Sequence, residues 1–412
     1  MSEYKKNVAI INIIDVGSTG KIMHGIAENA RLSNFSVITV SSFWHGLKKK
    51  KKIQDCLNHY YFNSFFSNIL HYLLARICGL SGFGTIISTL RLLKFLKKNN
   101  VQLIHLHILH GSYINIPLLF HFIKRNNISV VWTLHDCWNF TGRCPHFVLA
   151  KCTKWKTGCC CCPYPKNRYP QSFLDTTRMM WMYKQKWFTG IQNCILVTPS
   201  QWLADLVKQS FLKDYPIKVI NNGIDLSIFR PTESDFRNRY GLVGKKVVLG
   251  VAFGWGYAKG LDVFIELSKR LPENYQIVLV GTNTRVDSLI PANIISVHRT
   301  YNQSELAEIY TAADVFANPT REEVLGLVNV ESLACGTPVV TFRTGGSPEC
   351  IDETCGSVVD CDDVDTMESE ICRICDEKPY SMEACIARSK KFDMNDRFEE
   401  YVKLYKISGG FL

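Results

Sequence analysis

The most informative part of the sequence is TREEVLGLVNVESLACGTPVV, which runs from residue 320 to residue 340. Its carboxylates Glu323 and Glu331 are separated by seven residues. The turn Leu325–Leu327 is expected to open a helix that carries Glu331, and Gly336 is expected to end that helix before the next strand. The pattern predicts a loop carboxylate, free backbone N–H groups at a helix start, and a second carboxylate two turns into the helix.

A site of this kind suits an anionic ligand that also carries hydroxyl groups. Phosphate binds at helix N-termini, where backbone N–H groups and the helix dipole favour negative charge. The two carboxylates can accept hydrogen bonds from hydroxyls, so a nucleotide sugar meets both requirements. The stretch by itself leaves a plainer alternative open, namely an amphipathic helix after a loop with two solvated glutamates.

The rest of the chain independently indicates parallel α/β units. The apolar run at 8–14 predicts a buried strand, and the tight turn Gly17–Gly20 and a helix follow it. Later apolar runs predict strands at 103–106, 130–134 and 246–251. His110 and His135 follow the ends of the first two, where ligands gather in open α/β folds. At 171–190 the helical spacing of aromatic residues predicts core packing with solvated lysines.

Five other short motifs occur in a fixed order, and with the glutamate pair they resemble glycosyltransferase family 4, a family of retaining enzymes with the GT-B fold. The motifs are GSTG at 17–20, TLHD at 133–136, NGID at 222–225, KGL at 259–261 and GGSPE at 345–349. The resemblance extends over roughly residues 7 to 400. It points to bacterial enzymes that build cell-surface polysaccharide, namely capsule, exopolysaccharide or O-antigen.

The resemblance implies an α/β chain with two Rossmann-like domains that face each other across a cleft. Residues 1–220 would form the acceptor-binding domain, with a cysteine-rich insertion at 137–170. Residues 221–392 would form the nucleotide-sugar-binding domain. Residues 393–412 would form a helix that crosses back to the first domain, and a tail.

The resemblance also implies the roles of the candidate site residues. The sugar of a UDP- or GDP-sugar would pass to a hydroxyl of a lipid-linked saccharide, without a catalytic metal. Glu323 and His135 would act at the reaction centre, and His110 and Asp136 would face the acceptor. The donor would be held by Gly17, Gly20, Lys259, Leu325, Gly326, Leu327 and Glu331.

One position departs from the family pattern. The family usually carries an arginine five or six residues before the lysine that matches Lys259, whereas this chain has Gly254 and Phe253 there. A second cation for the diphosphate is therefore missing or supplied elsewhere. The departure keeps open the alternative of a non-catalytic GT-B protein that binds a nucleotide sugar without transferring it.

Seventeen cysteines in a chain without a recognisable signal peptide predict reduced thiols or a metal site rather than a disulfide framework. Cys144, Cys152, Cys159 and Cys162 lie within 19 residues, and the last two form a C-x2-C pair. Four thiolates at this density can hold a tetrahedral zinc ion, which would pin the insertion structurally. The spacing departs from the usual double C-x2-C pattern, so a loop of free thiols is the alternative.

The positive charge of the chain is concentrated in its first half. The formal net charge is +11, yet residues 1–220 hold 28 Lys and Arg against 8 Asp and Glu. The run Lys48–Lys52 precedes an aromatic segment at 60–74, and this combination suits an anionic membrane surface. A core-packed helix beside a solvated charged loop is the alternative. Nucleic acid is not expected as a partner, because no nucleic-acid motif accompanies the basic half.

The sequence also indicates where such a protein acts. The first apolar run contains Asn12 and is followed by Asp15, which is not the pattern of a secretory signal. The stretch at 56–90 contains too many polar residues, such as His71 and Arg76, for a spanning helix. We therefore expect a cytoplasmic protein that binds peripherally to the inner face of the plasma membrane through residues 45–75.

Overall fold

The chain divides into two compact units, which are described separately. The structure, a computed structural model, describes three stretches of the chain: residues 6–42, 58–164 and 172–408. Unit 1 consists of residues 1–220 and 397–412, and unit 2 consists of residues 221–396.

Unit 1 is built on a parallel sheet. Its strands are β1 (Asn7–Ile11), β2 (Ser36–Ser41), β3 (His59–Tyr61), β4 (Leu103–Leu106), β5 (Ser129–Thr133), β6 (Cys194–Thr198) and β7 (Ile217–Val219). They pair in the order β3-β2-β1-β4-β5-β6-β7. The direction in which successive strands are added reverses between β1 and β4, which makes this the switch point where ligands bind in such folds.

Unit 2 contains a second parallel sheet. Its strands are β8 (Lys246–Val251), β9 (Tyr275–Val280), β10 (Ile294–Val297), β11 (Val315–Asn318), β12 (Val339–Phe342) and β13 (Gly356–Val359). They pair in the order β10-β9-β8-β11-β12-β13. The switch point of this sheet lies between β8 and β11.

Helices connect the parallel strands. They are α1 (Gly17–Leu32), α2 (Phe65–Cys78), α3 (Ile86–Lys98), α4 (Ile116–Arg125), α5 (Thr177–Phe188), α6 (Gln201–Val207), α7 (Phe236–Arg239), α8 (Leu261–Arg270), α9 (Thr284–Asp287), α10 (Gln303–Ala312), α11 (Leu327–Ala334), α12 (Val364–Glu377), α13 (Met382–Ser389) and α14 (Met394–Ile407). Short 3-10 helices occupy Cys137–Phe140, Lys154–Lys156, Tyr257–Lys259, Ser347–Cys350 and Lys390–Phe392.

The central strands are buried on both faces, which explains why they read as continuous apolar runs. All four residues of β4 and all four of β11 are buried. The predicted α/β class with two Rossmann-like domains is confirmed. From Arg397 onward, α14 belongs to unit 1, where Tyr401 and Tyr405 pack against His105 of β4.

One predicted turn has a different local structure. The segment Gly17–Gly20 forms the first turn of α1, which begins after the extended residue Val16. The edge strands β3 and β13 were not predicted, because three or four residues carry little periodicity and form strands by pairing with β2 and β12.

The expectation that the lysines of α5 are solvated is wrong for Lys184. This side chain is completely buried. Its Nζ donates to the carbonyls of Trp138 at 2.7 Å and Thr141 at 3.0 Å. It also lies 3.3 Å from the centre of the Trp138 ring. The segment that covers Lys184 lies more than forty residues away in the chain, so the local spacing does not reveal the contact.

Candidate active site

The loops at the switch point of unit 2 bring together two residues predicted from distant motifs. Lys259 ends the 3-10 helix after β8, and Glu323 follows β11. Lys259 Nζ lies 2.9 Å from Glu323 Oε2, and about a quarter to a third of each side chain is exposed. The other carboxylate oxygen, Glu323 Oε1, accepts a hydrogen bond from the backbone N–H of Val324 at 3.1 Å. The pair is thus held in place and open to solvent.

Arg321 supports this pair, and the sequence analysis did not identify it. Its guanidinium is 5% exposed and forms two hydrogen bonds of 2.8 Å to the carboxylate of Asp262. It donates to Asp362 at 2.6 Å and to the carbonyl of Tyr257 at 2.6 Å, and it stacks on the Tyr257 ring at 3.9 Å. Arg321 therefore ties the Glu323 loop to the loop that carries Lys259. No local signal in the sequence distinguishes it from a surface arginine.

The helix expected to carry Glu331 is present as α11. It begins after Gly326, whose φ of +85° lies in the left-handed region that favours glycine. A Cβ at Gly326 would come within 3.4 Å of the Glu323 Cγ. Glu331 is the fifth residue of this helix, about one turn from its start and not two as expected. It accepts a hydrogen bond of 3.1 Å from the hydroxyl of the buried Tyr310.

A buried polar network beneath α11 fixes its start, and sequence reasoning also missed its members. Asn318 at the end of β11 donates to Asn329 Oδ1 at 2.7 Å. Asn329 donates in turn to Ser347 Oγ at 2.8 Å, and this hydroxyl pairs with Thr341 Oγ1 at 2.9 Å. Because buried polar groups are costly when unpaired, this network specifies one arrangement of the loops.

The two positions where the family usually carries an arginine, Phe253 and Gly254, provide no positive charge. Phe253 is fully exposed after β8, and Gly254 has a φ of +81° with open space around it. Arg321 does not take the place of the missing arginine, since its hydrogen-bond donors are engaged by Asp262, Asp362 and Tyr257. The basic character of this loop therefore rests on Lys259.

In unit 1, the two predicted glycines lie beside the switch point between β1 and β4. Gly17 has a φ of +73° at the start of α1. A Cβ at Gly20 would come within 2.5 Å of the backbone of Asp15, so only glycine allows this approach. The carboxylate of Asp15 accepts a hydrogen bond from the Tyr61 hydroxyl.

Two histidine contacts lie at the neighbouring strand ends. His107 Nδ1 lies 2.9 Å from His135 Nε2, and their rings are stacked with centroids 5.2 Å apart. His107 Nε2 is buried and has no hydrogen-bond partner among the described residues. Because a buried N–H is rarely left unpaired, the favoured tautomer places the proton of His107 on Nδ1, which donates to His135. His135 then carries its own proton on Nδ1.

His110 and Asp136 form the second contact, with His110 Nε2 2.9 Å from Asp136 Oδ2. The backbone N–H of Trp138 donates to Asp136 Oδ1 at 2.8 Å. Burial acts to raise the pKa of Asp136, but the charge and hydrogen bond of His110 and the Trp138 N–H outweigh it, so the pKa lies below its usual value. Asp136 is therefore ionised at neutral pH and orients the His110 ring.

Burial also keeps several histidines of unit 1 neutral. Desolvation lowers the pKa of His71 and His135 to about 4 and that of His105 to about 3. The buried ring of His71 is satisfied in its neutral form. Its Nε2 accepts a hydrogen bond from the backbone N–H of Gly82 at 2.9 Å, and its Nδ1 lies 3.2 Å from Thr85 Oγ1. A neutral His135 can donate or accept one hydrogen bond but brings no positive charge.

The neutral histidines predict that unit 1 loses stability as pH falls from 6.5 towards 4. Above pH 6.5 folded and unfolded histidines are both neutral, whereas below it only the unfolded chain binds protons, until the folded value near 4 is reached. Each such histidine adds a slope of about 1.4 kcal/mol per pH unit. Thermal unfolding across this range should show a smaller slope for His71→Gln, whereas the exposed control His121→Gln should keep the wild-type slope. Equal slopes for all three proteins would contradict the prediction.

The four predicted metal-ligand cysteines, Cys144, Cys152, Cys159 and Cys162, line one pocket of the insertion. Burial raises the pKa of the Cys144 thiol to about 12 and that of Cys159 to about 11. As the side chains are placed, the described residues contain no group of three or more His, Cys, Asp or Glu side chains arranged to hold a metal ion. The cysteines are therefore neighbours around a pocket rather than a formed coordination sphere.

Comparison with known proteins agrees with this geometry. The family model described as Glycosyltransferase Family 4 matches residues 59–228, and the model described as Glycosyl transferases group 1 matches residues 245–377. The putative colanic acid biosynthesis glycosyl transferase WcaC of Escherichia coli K12 is 24% identical over 321 residues, which cover 74% of this chain and 76% of that protein.

Solved structures show the same fold. Sucrose-phosphate synthase of Thermosynechococcus elongatus superposes with a TM-score of 0.74 at 16% identity, over 98% of this chain and 99% of that one. Anabaena HepE in complex with UDP superposes with a TM-score of 0.67 at 16% identity, over 98% of this chain and 100% of that one. The fold and the matched domains define a GT-B glycosyltransferase. The chain joins a glycosyltransferase family 4 domain to a glycosyl transferases group 1 domain, and it is an enzyme that transfers sugars.

Proposed function

We propose that this glycosyltransferase moves a sugar from a UDP- or GDP-sugar to a hydroxyl of a lipid-linked saccharide, with retention of configuration, in the synthesis of a bacterial surface polysaccharide. The observation that carries the proposal is the contact of Lys259 with Glu323 at the switch point of unit 2, beside the start of α11. The colanic acid relative supports the polysaccharide assignment, and the HepE complex supports UDP as the nucleotide.

In this proposal unit 2 holds the donor. The diphosphate binds Lys259 Nζ and the first backbone N–H groups of α11, where the helix dipole favours negative charge. Glu331 accepts hydrogen bonds from the ribose hydroxyls while Tyr310 fixes its other contact. The diphosphate competes with Glu323 for Lys259, so donor binding releases the Glu323 carboxylate towards the hydroxyls of the sugar.

The reaction itself is driven mainly by electrostatic stabilisation of the leaving group. The bond between the anomeric carbon and the phosphate oxygen breaks, and the electron pair stays on the diphosphate, whose charge Lys259 and the start of α11 stabilise. The acceptor hydroxyl attacks the anomeric carbon from the same face and gives its proton to the leaving phosphate oxygen. This route retains the configuration without a covalent intermediate or a catalytic metal.

Unit 1 is proposed to hold the acceptor and to supply uncharged polar contacts. His135 would donate its Nδ1–H to a substrate oxygen, because His107 occupies its Nε2. His110, oriented by Asp136, would contact an acceptor hydroxyl. Gly17 would let a substrate approach the first turn of α1 closely, whereas Gly20 makes room for the backbone of Asp15.

A donor screen followed by an assay of turnover tests the proposal. Nucleotide sugars that bind the native enzyme should raise its melting temperature by mass action. The donor found in this way should then be hydrolysed slowly, and faster when lipid-linked saccharides are added. Binding without release of nucleotide under any acceptor condition would favour the alternative of a non-catalytic protein. The observation behind that alternative is the exposed Phe253 at a position where the family usually has an arginine.

Helix α2 buries polar side chains and exposes apolar ones, which is the reverse of an ordinary surface helix and supports contact with a membrane. Its buried residues are the polar Asn68 and His71. Asn68 donates to Ser42 Oγ at 2.8 Å, and both nitrogens of the His71 ring have partners. Its exposed side chains are mostly apolar: Phe65, Phe66, Leu70, Tyr72, Leu73 and Ile77. An apolar face that packs on no core is typical of an interaction surface.

The apolar surface of α2 continues onto neighbouring elements. Ile87 and Leu90 of α3 are exposed, and the exposed Arg91 and Lys94 follow on the same helical face. The exposed Phe173 is joined to the last turn of α2, because its backbone N–H donates to the carbonyl of Arg76 at 2.9 Å. An apolar face bordered by cations, in a unit with excess positive charge, suits an anionic bilayer. We propose that this surface holds the enzyme at the cytoplasmic leaflet, where a lipid-linked acceptor lies.

The proposal predicts reversible binding to anionic vesicles. None of the helices in the described residues combines the length and apolar character needed to cross a bilayer, so the contact would be peripheral. The protein should sediment with anionic but not neutral liposomes, and salt should release part of it. Replacing Phe66 and Leu70 by serine should abolish most of this binding. Replacing Lys48–Lys52, which lie outside the described residues, by glutamine should weaken it as well.

The control for this experiment is Val243→Ser, which changes an exposed apolar residue of unit 2. This variant should bind vesicles as the wild type does. Wild-type binding by the Phe66→Ser/Leu70→Ser variant would show that the exposed face of α2 does not contact the bilayer.

A further inference from the structure

We propose that the insertion after β5 binds one structural Zn²⁺ through Cys144, Cys152, Cys159 and Cys162. All four residues line a single cavity, as does the exposed Cys160, although they come from three stretches of the insertion that are separate in the sequence. This convergence is independent of the donor and acceptor residues, so the inference stands whether or not the proposed transfer reaction is correct.

The cavity has room for a single ion. Its volume is about 20 Å³, and a space of ~10–15 Å³ is needed for one water molecule. Because no three ligands are yet arranged around one point, the thiols must turn inward to reach the Zn–S distance of about 2.3 Å. The proposal requires that they do so by rotation about χ1.

The backbone around the C-x2-C pair is held in a turn that directs both thiols to the cavity. Cys161 adopts a left-handed conformation with a φ of +43°. Lys154 Nζ donates to the carbonyls of Cys160 at 3.2 Å and Cys161 at 2.9 Å. The backbone N–H of Gly142 donates to Cys159 Sγ at 3.1 Å. A hydrogen bond from a backbone N–H to the sulfur is the kind of outer contact that orients a thiolate ligand.

The charges around the cavity also match a bound metal. A zinc ion with four thiolates carries a net charge of −2, which needs cations nearby. Arg143 and Lys154 line the cavity, and Arg143 Nε is buried without a hydrogen-bond partner among the described residues. A zinc ion bound by the four thiolates would supply the negative charge that balances these cations.

The zinc would stabilise a segment that has little regular structure of its own. Among the described residues between Thr141 and Asp175, the only helix is the 3-10 turn at Lys154–Lys156. The insertion is joined to the proposed acceptor site, since the N–H of Cys137 donates to the carbonyl of Pro145 at 2.9 Å. Cys137 directly follows Asp136, so loss of the metal would loosen the end of β5 as well as the insertion.

Metal analysis of the whole chain tests the proposal. Protein purified under reducing conditions from zinc-supplemented cells should contain about one zinc per chain by elemental analysis. Protein grown with cobalt instead should show the visible absorption of tetrahedral cobalt bound to thiolates. Removal of zinc with a chelator should lower the melting temperature. Substoichiometric zinc together with no cobalt–thiolate absorption would overturn the proposal, and so would iron with acid-labile sulfide.

Cysteine variants locate the site. Cys159→Ser should lose the zinc, whereas Cys161→Ser should keep it, because Cys161 is exposed and does not line the cavity. If Cys159→Ser does not fold, the cobalt spectrum of the wild type and of Cys161→Ser still decides, since a four-sulfur site must give the same spectrum in both. Equal loss of zinc from Cys159→Ser and Cys161→Ser would refute the ligand assignment.

Discussion

Replacing Glu323 by glutamine is expected to lower the rate of sugar transfer by about 10- to 150-fold, the equivalent of losing one charge-assisted hydrogen bond of about 1.5–3 kcal/mol. Donor affinity should stay the same or increase. The reason is that Glu323 pairs with Lys259 at 2.9 Å, and in the variant the diphosphate no longer has to displace a carboxylate from Lys259. The effect should therefore appear in kcat and not as a higher KM.

Glu331→Ala should have the opposite effect, changing donor binding more than kcat. Its proposed contact is with the ribose, which changes little during the reaction, so donor binding should weaken by a similar factor while kcat changes less. Steady-state kinetics and donor titrations of both variants provide the measurement. The control is Glu353→Gln, an exposed glutamate in the turn before β13. Wild-type kinetics for both the Glu323 and the Glu331 variant would show that the site assignment is wrong.

Gly345→Ala is expected to have the second large effect, on both stability and activity. Gly345 has a φ of +58°, and a Cβ at this position would overlap the backbone carbonyl of Glu323. The left-handed conformation alone costs an alanine about 1–2 kcal/mol. The overlap adds to that cost because backbone atoms, unlike the end of a flexible side chain, cannot move without shifting the loop. Displacing the Glu323 loop by about 1 Å can reduce a rate by about 100-fold.

Gly241 offers a matched control for Gly345. It has a similar φ of +65°, but nothing lies within 4 Å of the added Cβ. Gly241→Ala should therefore be destabilised only by the cost of holding an alanine in the left-handed conformation. Each kcal/mol of that cost corresponds to a fall in melting temperature of about 2–4 °C. Gly345→Ala should melt lower than Gly241→Ala and should lose transfer activity, which Gly241→Ala should keep. If the two variants melt at the same temperature, the close approach of Gly345 to Glu323 is not a constraint.

Local patterns were sufficient for the elements that form the centre of each sheet. The strand over Leu103–Leu106 and the strand over Lys246–Val251 have the predicted bounds, because parallel strands buried on both faces are continuous apolar runs. The helix that carries Glu331 was also predictable, since Gly326 precedes it and Gly336 follows it closely. In these cases the residues that decide the structure lie within the element or directly beside it.

Local patterns failed where the deciding partner lies far along the chain. The sequence predicted a solvated Lys184 because helical spacing cannot show that Trp138 and Thr141 cover it. Likewise α2 appeared to be either a core helix or a membrane-facing one. The contacts of Asn68 with Ser42 and of His71 with Gly82 put its polar side inward.

For the candidate site, short stretches of sequence indicate the residue types and the kinds of element that carry them: Lys259 on a loop after a strand, Glu323 before a helix start, and Glu331 within that helix. Only the folded chain shows that Lys259 and Glu323 touch, that Arg321 holds their loops together, and that the four predicted cysteines line one cavity. The contacts of Lys259, Glu323 and Arg321 form between loops at the ends of strands, and their proximity depends on the order of strands in the sheet. Strand order is set by the packing of whole helices and strands, and no short stretch of sequence encodes it.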